Sequence, residues 1–238
     1  MAAPLYLQIR ETLLTRMADG TFRPGQPLPS EFALAKELAV SQGTVRKALD
    51  TLAAENLVLR RQGLGTFVPE QTTERALYQF FRLTGPKGES LIPVPISEEV
   101  RRLAAPARIA TRLGIAKGHE AIRIRRVRGL GARPATFEDI WVDPDILPVP
   151  CGGPHLPNAL YTHYQRAHGV SIARAEDFIG AVAAPRAVAT AMGMPEGTPL
   201  LLVRRDAFDL TGRLVETRES HFHAEAGADA PGYSVVLR

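Results

Sequence analysis

The sequence is poor in cysteine: Cys151 is the single one in 238 residues. An intramolecular disulfide is thereby excluded, and a reducing compartment suits the chain. Long apolar runs are missing too. None approaches the ~20 residues of a membrane-spanning helix, and no charged-then-apolar leader opens the sequence. The expectation is a cytoplasmic protein without a membrane partner. An excess of one charge sign is also lacking, with a net charge of only +4. Residues 1–70 hold eight Lys/Arg against seven Asp/Glu. A polyanionic partner is permitted but not demanded by such numbers, so any nucleic-acid argument rests on local clusters such as Arg46, Lys47, Arg60 and Arg61. Gly63-Leu64-Gly65 and Gly129-Leu130-Gly131 read as hairpin glycines, because the strand–Gly–helix context of a phosphate loop is absent. His221 and His223 lie two apart on a strand, with Cys151 and His155 elsewhere. They form no compact four-ligand set, so no metal or other cofactor is expected. No serine–histidine or cysteine–histidine arrangement is recognisable.

What is present begins with two short helices and a tight bend. Pro29-Ser30-Glu31 opens the first, which runs through Ala33-Leu34-Ala35. Ser41 stands where the N-cap of the second belongs. Val45, Ala48, Leu49 and Leu52 recur at i, i+3, i+4 and i+7 and bury one side of that helix. Gln42, Thr44, Arg46 and Lys47 are left on its open end, where small polar residues permit close approach to a duplex and cations match phosphates. A helix-turn-helix puts this end into the major groove. The plain alternative is a helical hairpin with a solvated face. Leu57 to Arg61, the turn Gln62-Gly63-Leu64-Gly65, and Thr66-Phe67-Val68 then read as a two-stranded wing with Arg60, Arg61 and Gln62 at its tip. Ahead of these, a helix is expected over Leu5 to Ala18, with Leu5, Ile9, Leu13 and Met17 on one stripe.

Residues 4–69 resemble the winged helix of the GntR family of bacterial transcription regulators. The matching pieces are Pro4-Leu5-Tyr6, Pro24-Gly25 with Leu28-Pro29-Ser30-Glu31, Thr44-Val45-Arg46-Lys47-Ala48-Leu49, and Gly63-Leu64-Gly65-Thr66-Phe67-Val68. The resemblance implies DNA contacts at Ser30, Ser41, Gln42, Thr44, Arg46, Gln62 and Gly63. Lys47, Arg60 and Arg61 join them on charge. Two positions depart from the family: Phe32 and Gln42 stand where arginines are usual. Gln42 is suited to bidentate bonding with adenine where arginine would take guanine.

Residues 70–76 read as a polar linker and 77–238 as a second domain. Tyr78, Phe80 and Phe81 are expected to lead into a strand, Gly85-Pro86-Lys87-Gly88 into a turn, and Leu91 to Ile96 into an edge strand. Then a pattern occurs twice. Ala107 to Leu113, Gly114 to Gly118, a strand from Ile122 and a return strand over Pro134 to Val142 recur later in the chain, with Gly114 to Gly193 and Gly118 to Gly197 both offset by 79 positions. The second copy is Ala187 to Met192, Gly193 to Gly197, Leu201 to Arg205 and Arg213 to Phe222. Two helix-plus-hairpin units, packed as halves of one antiparallel sheet, are inferred. Between them a helix is expected over Asn158 to His168 and a strand over Val170 to Val182.

This region resembles the effector-sensing UTRA domain of the HutC-like branch of that family, whose α+β fold of antiparallel sheet and helices is shared with chorismate lyase. Ile124 to Arg128, Phe137 to Trp141, Ala159-Leu160-Tyr161 and Pro199-Leu200-Leu201 carry the likeness. By alternation Ile122, Ile124, Arg126 and Arg128 share one strand face, apolar and then cationic. Paired guanidiniums there can fork to a carboxylate or phosphate, with Glu138 opposite on the return strand. The resemblance places effector contacts at Arg126, Arg128 and Glu138, and adds Asn158 and Tyr233. A surface salt-bridge ladder is the plain alternative.

The expected function is a ligand-responsive DNA-binding regulator, a repressor that binds a pseudo-palindromic operator as a homodimer and answers to a small anionic effector. It is not expected to be an enzyme. Two other readings stay open on sequence: a chorismate-lyase-like enzyme acting on a carboxylate held by Arg126, Arg128 and Glu138, and a constitutive DNA-binding dimer.

Overall fold

The computed structural model describes residues 3–72, 83–85, 87–223 and 232–233, the last two by their backbone alone. Tyr78, Phe80, Phe81 and Pro86 lie outside the described residues.

The N-terminal unit has helices α1 (Leu5–Ala18), α2 (Glu31–Glu37) and α3 (Gln42–Ala54), then a hairpin of β1 (Leu59–Arg61) and β2 (Gly65–Phe67). Its core joins Ile9, Leu13, Leu14 and Met17 of α1 to Leu34 of α2, to Val45, Ala48, Leu49 and Leu52 of α3, and to Val58 and Val68 beside the wing. Leu5, expected on the α1 stripe, is 49% exposed; it is the first helical residue and overhangs the packed surface. Ser30 and Ser41 cap α2 and α3, each accepting a backbone N–H three residues on, from Ala33 and Thr44, at 3.1 Å.

The second unit is built on a six-stranded antiparallel sheet ordered β4-β5-β6-β9-β8-β7. Its first half comprises β4 (Val94–Ala104), α4 (Ala107–Leu113), β5 (Glu120–Leu130) and β6 (Arg133–Val142). Its second comprises β7 (Ile172–Ala183), α6 (Arg186–Met192), β8 (Pro199–Asp209) and β9 (Leu214–Phe222). Helix α5 (Leu160–His168) joins the halves. The repeated unit is thus strand–helix–hairpin, one strand longer than the sequence suggested. Both short helices end on a glycine in the left-handed region, Gly114 at φ 70° and Gly193 at φ 66°, as a helix stop of this kind requires. The halves meet where β6 pairs with β9 antiparallel, so an approximate twofold axis normal to the sheet relates them.

Three expectations are corrected. The edge strand runs from Val94 to Ala104, not from Leu91 to Ile96, and tolerates Pro95 through a bulge between Pro95 and Ser97. Asn158 precedes α5, which begins at Leu160. Gly129 is not a turn glycine: it lies within β5, where an added Cβ would come within 2.5 Å of Ile96 and 2.6 Å of the Arg133 carbonyl.

The sheet has two covered faces. Helices α4 and α6 pack on one, over Ala121 and Trp141 and over Val127 and Phe137 respectively. Helix α5 covers part of the other, placing Tyr161 and Tyr164 on Ile122, Ile124, Ile140 and Val142. A short ribbon of β3 (Leu83–Thr84) and β10 (Gly232–Tyr233) is joined to this second face by Leu83, which packs on Val203 and Phe222.

Candidate DNA interface and effector pocket

On the N-terminal unit, the open end of α3 and the wing are tied together by Glu31. Its carboxylate accepts from Arg46 Nε at 2.9 Å, from Arg60 Nη1 at 3.3 Å and from Gln42 Nε2 at 3.5 Å. The hydrogen bond from Arg46 is the main reason that Glu31 titrates below the usual carboxylate range. Arg60 also donates to Asp50 at 2.6 Å, so it points back along α3 rather than to the wing tip. Arg61 lies over the Phe67 ring at 4.7 Å, and Lys47 over Tyr6 at 4.2 Å. Gln62, Gly63 and Leu64 form the tip, with Gly63 at φ 72° and Leu64 70% exposed. Thr44 shares a 2.8 Å hydrogen bond with Ser41. The ten expected contact residues therefore fall into a recognition end (Ser41, Gln42, Thr44, Arg46), a helix entrance (Ser30), a wing (Arg60, Arg61, Gln62, Gly63) and a flank (Lys47). Glu31 belongs to the Pro29-Ser30-Glu31 motif, and its position facing three donors arises from tertiary packing, which the sequence pattern does not reveal.

On the second unit, register places Glu98 opposite Arg126 and Arg126 opposite Glu138. Period-two alternation sends all three to the α5 face of the sheet, together with Arg128, Glu216 and Arg218. Arg126 and Arg128 are each 1% exposed, as is Glu138. The surface-ladder reading is thereby excluded. Arg128 donates to Glu138 at 3.3 Å and to the Pro93 carbonyl at 3.0 Å. Arg218 donates to the same oxygen of Glu138 at 3.1 Å and to Glu216 at 2.9 Å. Glu216, itself fully buried, accepts the hydroxyls of Tyr161 at 3.2 Å and Tyr164 at 2.8 Å. Burial alone would raise the Glu138 pKa, but the charges of Arg128, Arg218 and Arg126 outweigh it and bring the value down to about 2. Burial lowers Arg128 to about 10. Asn158 donates to the Pro93 carbonyl at 3.1 Å and so joins the cluster. The backbone of Tyr233 pairs with Leu83.

Arg126 forms an ion pair with Glu98 at 3.1 Å and donates to the Pro157 carbonyl at 3.2 Å, while its Nη1 has no hydrogen-bond partner. Glu138 Oε2, Asn158 Oδ1 and Thr136 Oγ1, all buried, are likewise without one. A buried polar atom left so costs roughly 1–3 kcal/mol, and such a concentration beside one guanidinium is what a ligand would relieve. The matching pair of the second half behaves differently. Asp177 opposes Arg205, 79 positions after Glu98 and Arg126, and receives two hydrogen bonds from it at 2.7 Å. One half is open and the other closed. Glu98, Arg218, Glu216 and the Pro93 carbonyl were missed on sequence. Alternation along Leu214–Phe222 would have found the middle two.

Residues 5–68 match the model of the bacterial regulatory proteins of the gntR family, and residues 97–226, more than half of the chain, match that of the UTRA domain. The chain belongs to the GntR family. Within it the protein is of the HutC-like kind, a transcriptional regulator and not an enzyme. The HTH-type transcriptional repressor NagR of Bacillus subtilis is 30% identical over 93% of this chain and 91% of its own. A histidine utilization repressor from Pseudomonas aeruginosa is 26% identical, over 93% of this chain and 87% of its own. The ligand-binding domain of a GntR-family transcriptional regulator from Bordetella bronchiseptica superposes with a TM-score of 0.57 at 28% identity, covering 67% of this chain and 98% of that one. Among the described residues of the regulator, no group of three or more His, Cys, Asp or Glu side chains is placed to hold a metal ion. No helix among them is long and apolar enough to cross a membrane.

Proposed function

We propose that this regulator is a cytoplasmic repressor that binds a pseudo-palindromic operator as a homodimer and releases it when a small effector bearing an anionic group occupies the second domain. DNA is met by the end of α3 bearing Ser41, Gln42, Thr44 and Arg46, with Ser30 and Lys47 beside it. Arg60, Arg61, Gln62 and Gly63 supply the wing contacts. The effector is held by Arg126, Arg128, Glu138 and Asn158, and Tyr233 is assigned to the same contact set by resemblance. The observation that carries this reading is the cluster of buried hydrogen-bonding atoms without partners around Arg126: its own Nη1, Glu138 Oε2, Asn158 Oδ1 and Thr136 Oγ1. The repressor names of the relatives support the sign of regulation. Effector binding weakens operator affinity only by favouring a dimer geometry in which the two recognition helices no longer match successive grooves. Gel-shift titration with the DNA upstream of the gene, with and without hits from a thermal-shift screen of metabolites, tests it. Retention of the operator at every metabolite concentration, or equal affinity for scrambled DNA, would overturn it.

A further inference from the structure

The buried cluster around Arg126 contains as many carboxylates as guanidiniums. Arg126 is answered by Glu98, and beside that pair Arg128 and Arg218 are answered by Glu138 and Glu216, with all six side chains buried. The cluster's formal charge is zero. A ligand carrying only negative charge would bring an unanswered charge into a buried neutral cluster, which is costly. It would also lie near Glu138, whose second oxygen already lacks a donor.

The partnerless atoms specify more than an anion. Arg126 Nη1 is a donor in search of an acceptor. Glu138 Oε2 and Asn158 Oδ1 are acceptors in search of donors, the orientation of the Asn158 amide being fixed by its bond to the Pro93 carbonyl. An anion alone satisfies the first and leaves the other two bare. The hydroxyls of a neutral polyol can meet all three atoms, but without the charge assistance that an anion gives at Arg126 and an ammonium at Glu138.

Resting on the anion-site reading above, we infer that the effector is a zwitterion. Its anionic group, a carboxylate or phosphate, meets Arg126, and a protonated amine meets Glu138 and Asn158. Such a ligand leaves the cluster neutral while bonding all three atoms. Charge-assisted hydrogen bonds of this kind contribute about 1.5–3 kcal/mol each, so the amine is worth roughly tenfold to a hundredfold in affinity.

The experiment uses the full chain. Calorimetry with O-phosphoethanolamine against ethyl phosphate, and with 5-aminopentanoate against pentanoate, isolates the amine. Native mass spectrometry after dialysis against a bacterial metabolite extract identifies retained compounds. The expected result is retention of compounds bearing both charges, with the amine member of each pair binding at least tenfold more tightly. That preference should collapse in Glu138→Gln and shrink severalfold in Asn158→Ala, the second variant serving if the first fails to fold. Arg126→Gln should weaken all members. If compounds without an amine bind as tightly and are lost in Arg126→Gln, the zwitterion is overturned and the anion site stands. If no compound from the pairs or the extract is retained, both readings are overturned.

Discussion

Gln71 and Gln165, 94 positions apart, meet in a 2.8 Å hydrogen bond from the Gln71 backbone N–H to the Gln165 side-chain oxygen. Gln71 is 6% exposed, and its own amide donates to the Ile172 carbonyl at 3.1 Å. Gln165 donates in turn to Ser171 at 2.8 Å. The stretch between the two units is therefore anchored on the sensing domain, within one helical turn of Tyr161 and Tyr164. Leu210, at the tip of the β8–β9 hairpin, packs against the core of the winged unit. A run of contacts leads from Glu138 through Arg218, Glu216 and α5 to this anchor.

Gln165→Ala leaves the Gln71 N–H buried without a partner and should cost about 1–3 kcal/mol in urea unfolding. Arg166→Ala, one residue on, removes an exposed ion pair with Glu70 at 3.4 Å and should change stability by less than about 1 kcal/mol. Equal losses in both variants would contradict the anchoring role of Gln71.

Glu138 fixes the acid side of the stability profile. Its folded pKa of about 2 lies below the unfolded value of roughly 4.3. Its contribution is therefore complete above pH ~4.3 and is lost as pH falls toward ~2. Unfolding midpoints measured between pH 5 and 3 should fall in the natural protein. Glu138→Gln should lack this component of the slope and be destabilised by about 3–5 kcal/mol at pH 7, because Arg128 and Arg218 lose a buried counter-charge.

Tyr164 is fully buried with its hydroxyl 2.8 Å from Glu216, and both burial and that carboxylate raise its pKa. Tyr164→Phe should cost about 1.5–3 kcal/mol, as expected for a hydrogen bond to a charged acceptor. Thermal and chemical denaturation check the value.

Glu31 holds Arg46 and Arg60, two cations of the proposed DNA face. Glu31→Gln should strengthen binding to scrambled DNA, and Arg46→Ala should weaken binding to every sequence and lower the salt slope by about 1. Gln42→Ala should relax base preference instead. Fluorescence anisotropy at several salt concentrations separates the three.

Ala39 sits in the bend between α2 and α3 at φ 52°, a left-handed conformation that an L side chain adopts at a cost of about 1–2 kcal/mol. Ala39→Gly should raise the unfolding free energy by up to about 1 kcal/mol, the gain being reduced by the greater entropy of unfolded glycine.

The parts of the fold that were legible in sequence are those with local signals. Helix α1 lies where its periodicity put it, and α4 ends at the glycine that stops it. The repeat at 79 positions correctly announced two halves of one sheet. The stretch Ser97 to Ala104 was illegible for a physical reason. It is an edge strand with charges on both faces, Glu98 and Glu99 followed by Arg101 and Arg102, so no apolar alternation marks it. Glu98 was lost with it. The pairing of Arg126 and Glu138 was readable from hairpin register. The contribution of the Pro93 carbonyl was not, because backbone acceptors leave no trace in residue identity.

The near-symmetry of the sensing domain supplies an internal reference. Asp177 and Arg205 occupy the same ladder positions as Glu98 and Arg126, in the same polypeptide and on the same side of the sheet, yet their pair is closed. Exchanging a residue in one half and its counterpart in the other perturbs equivalent strands by equivalent chemistry. Whatever differs between two such matched variants measures recognition, with the common cost of disturbing the scaffold subtracted by the protein itself.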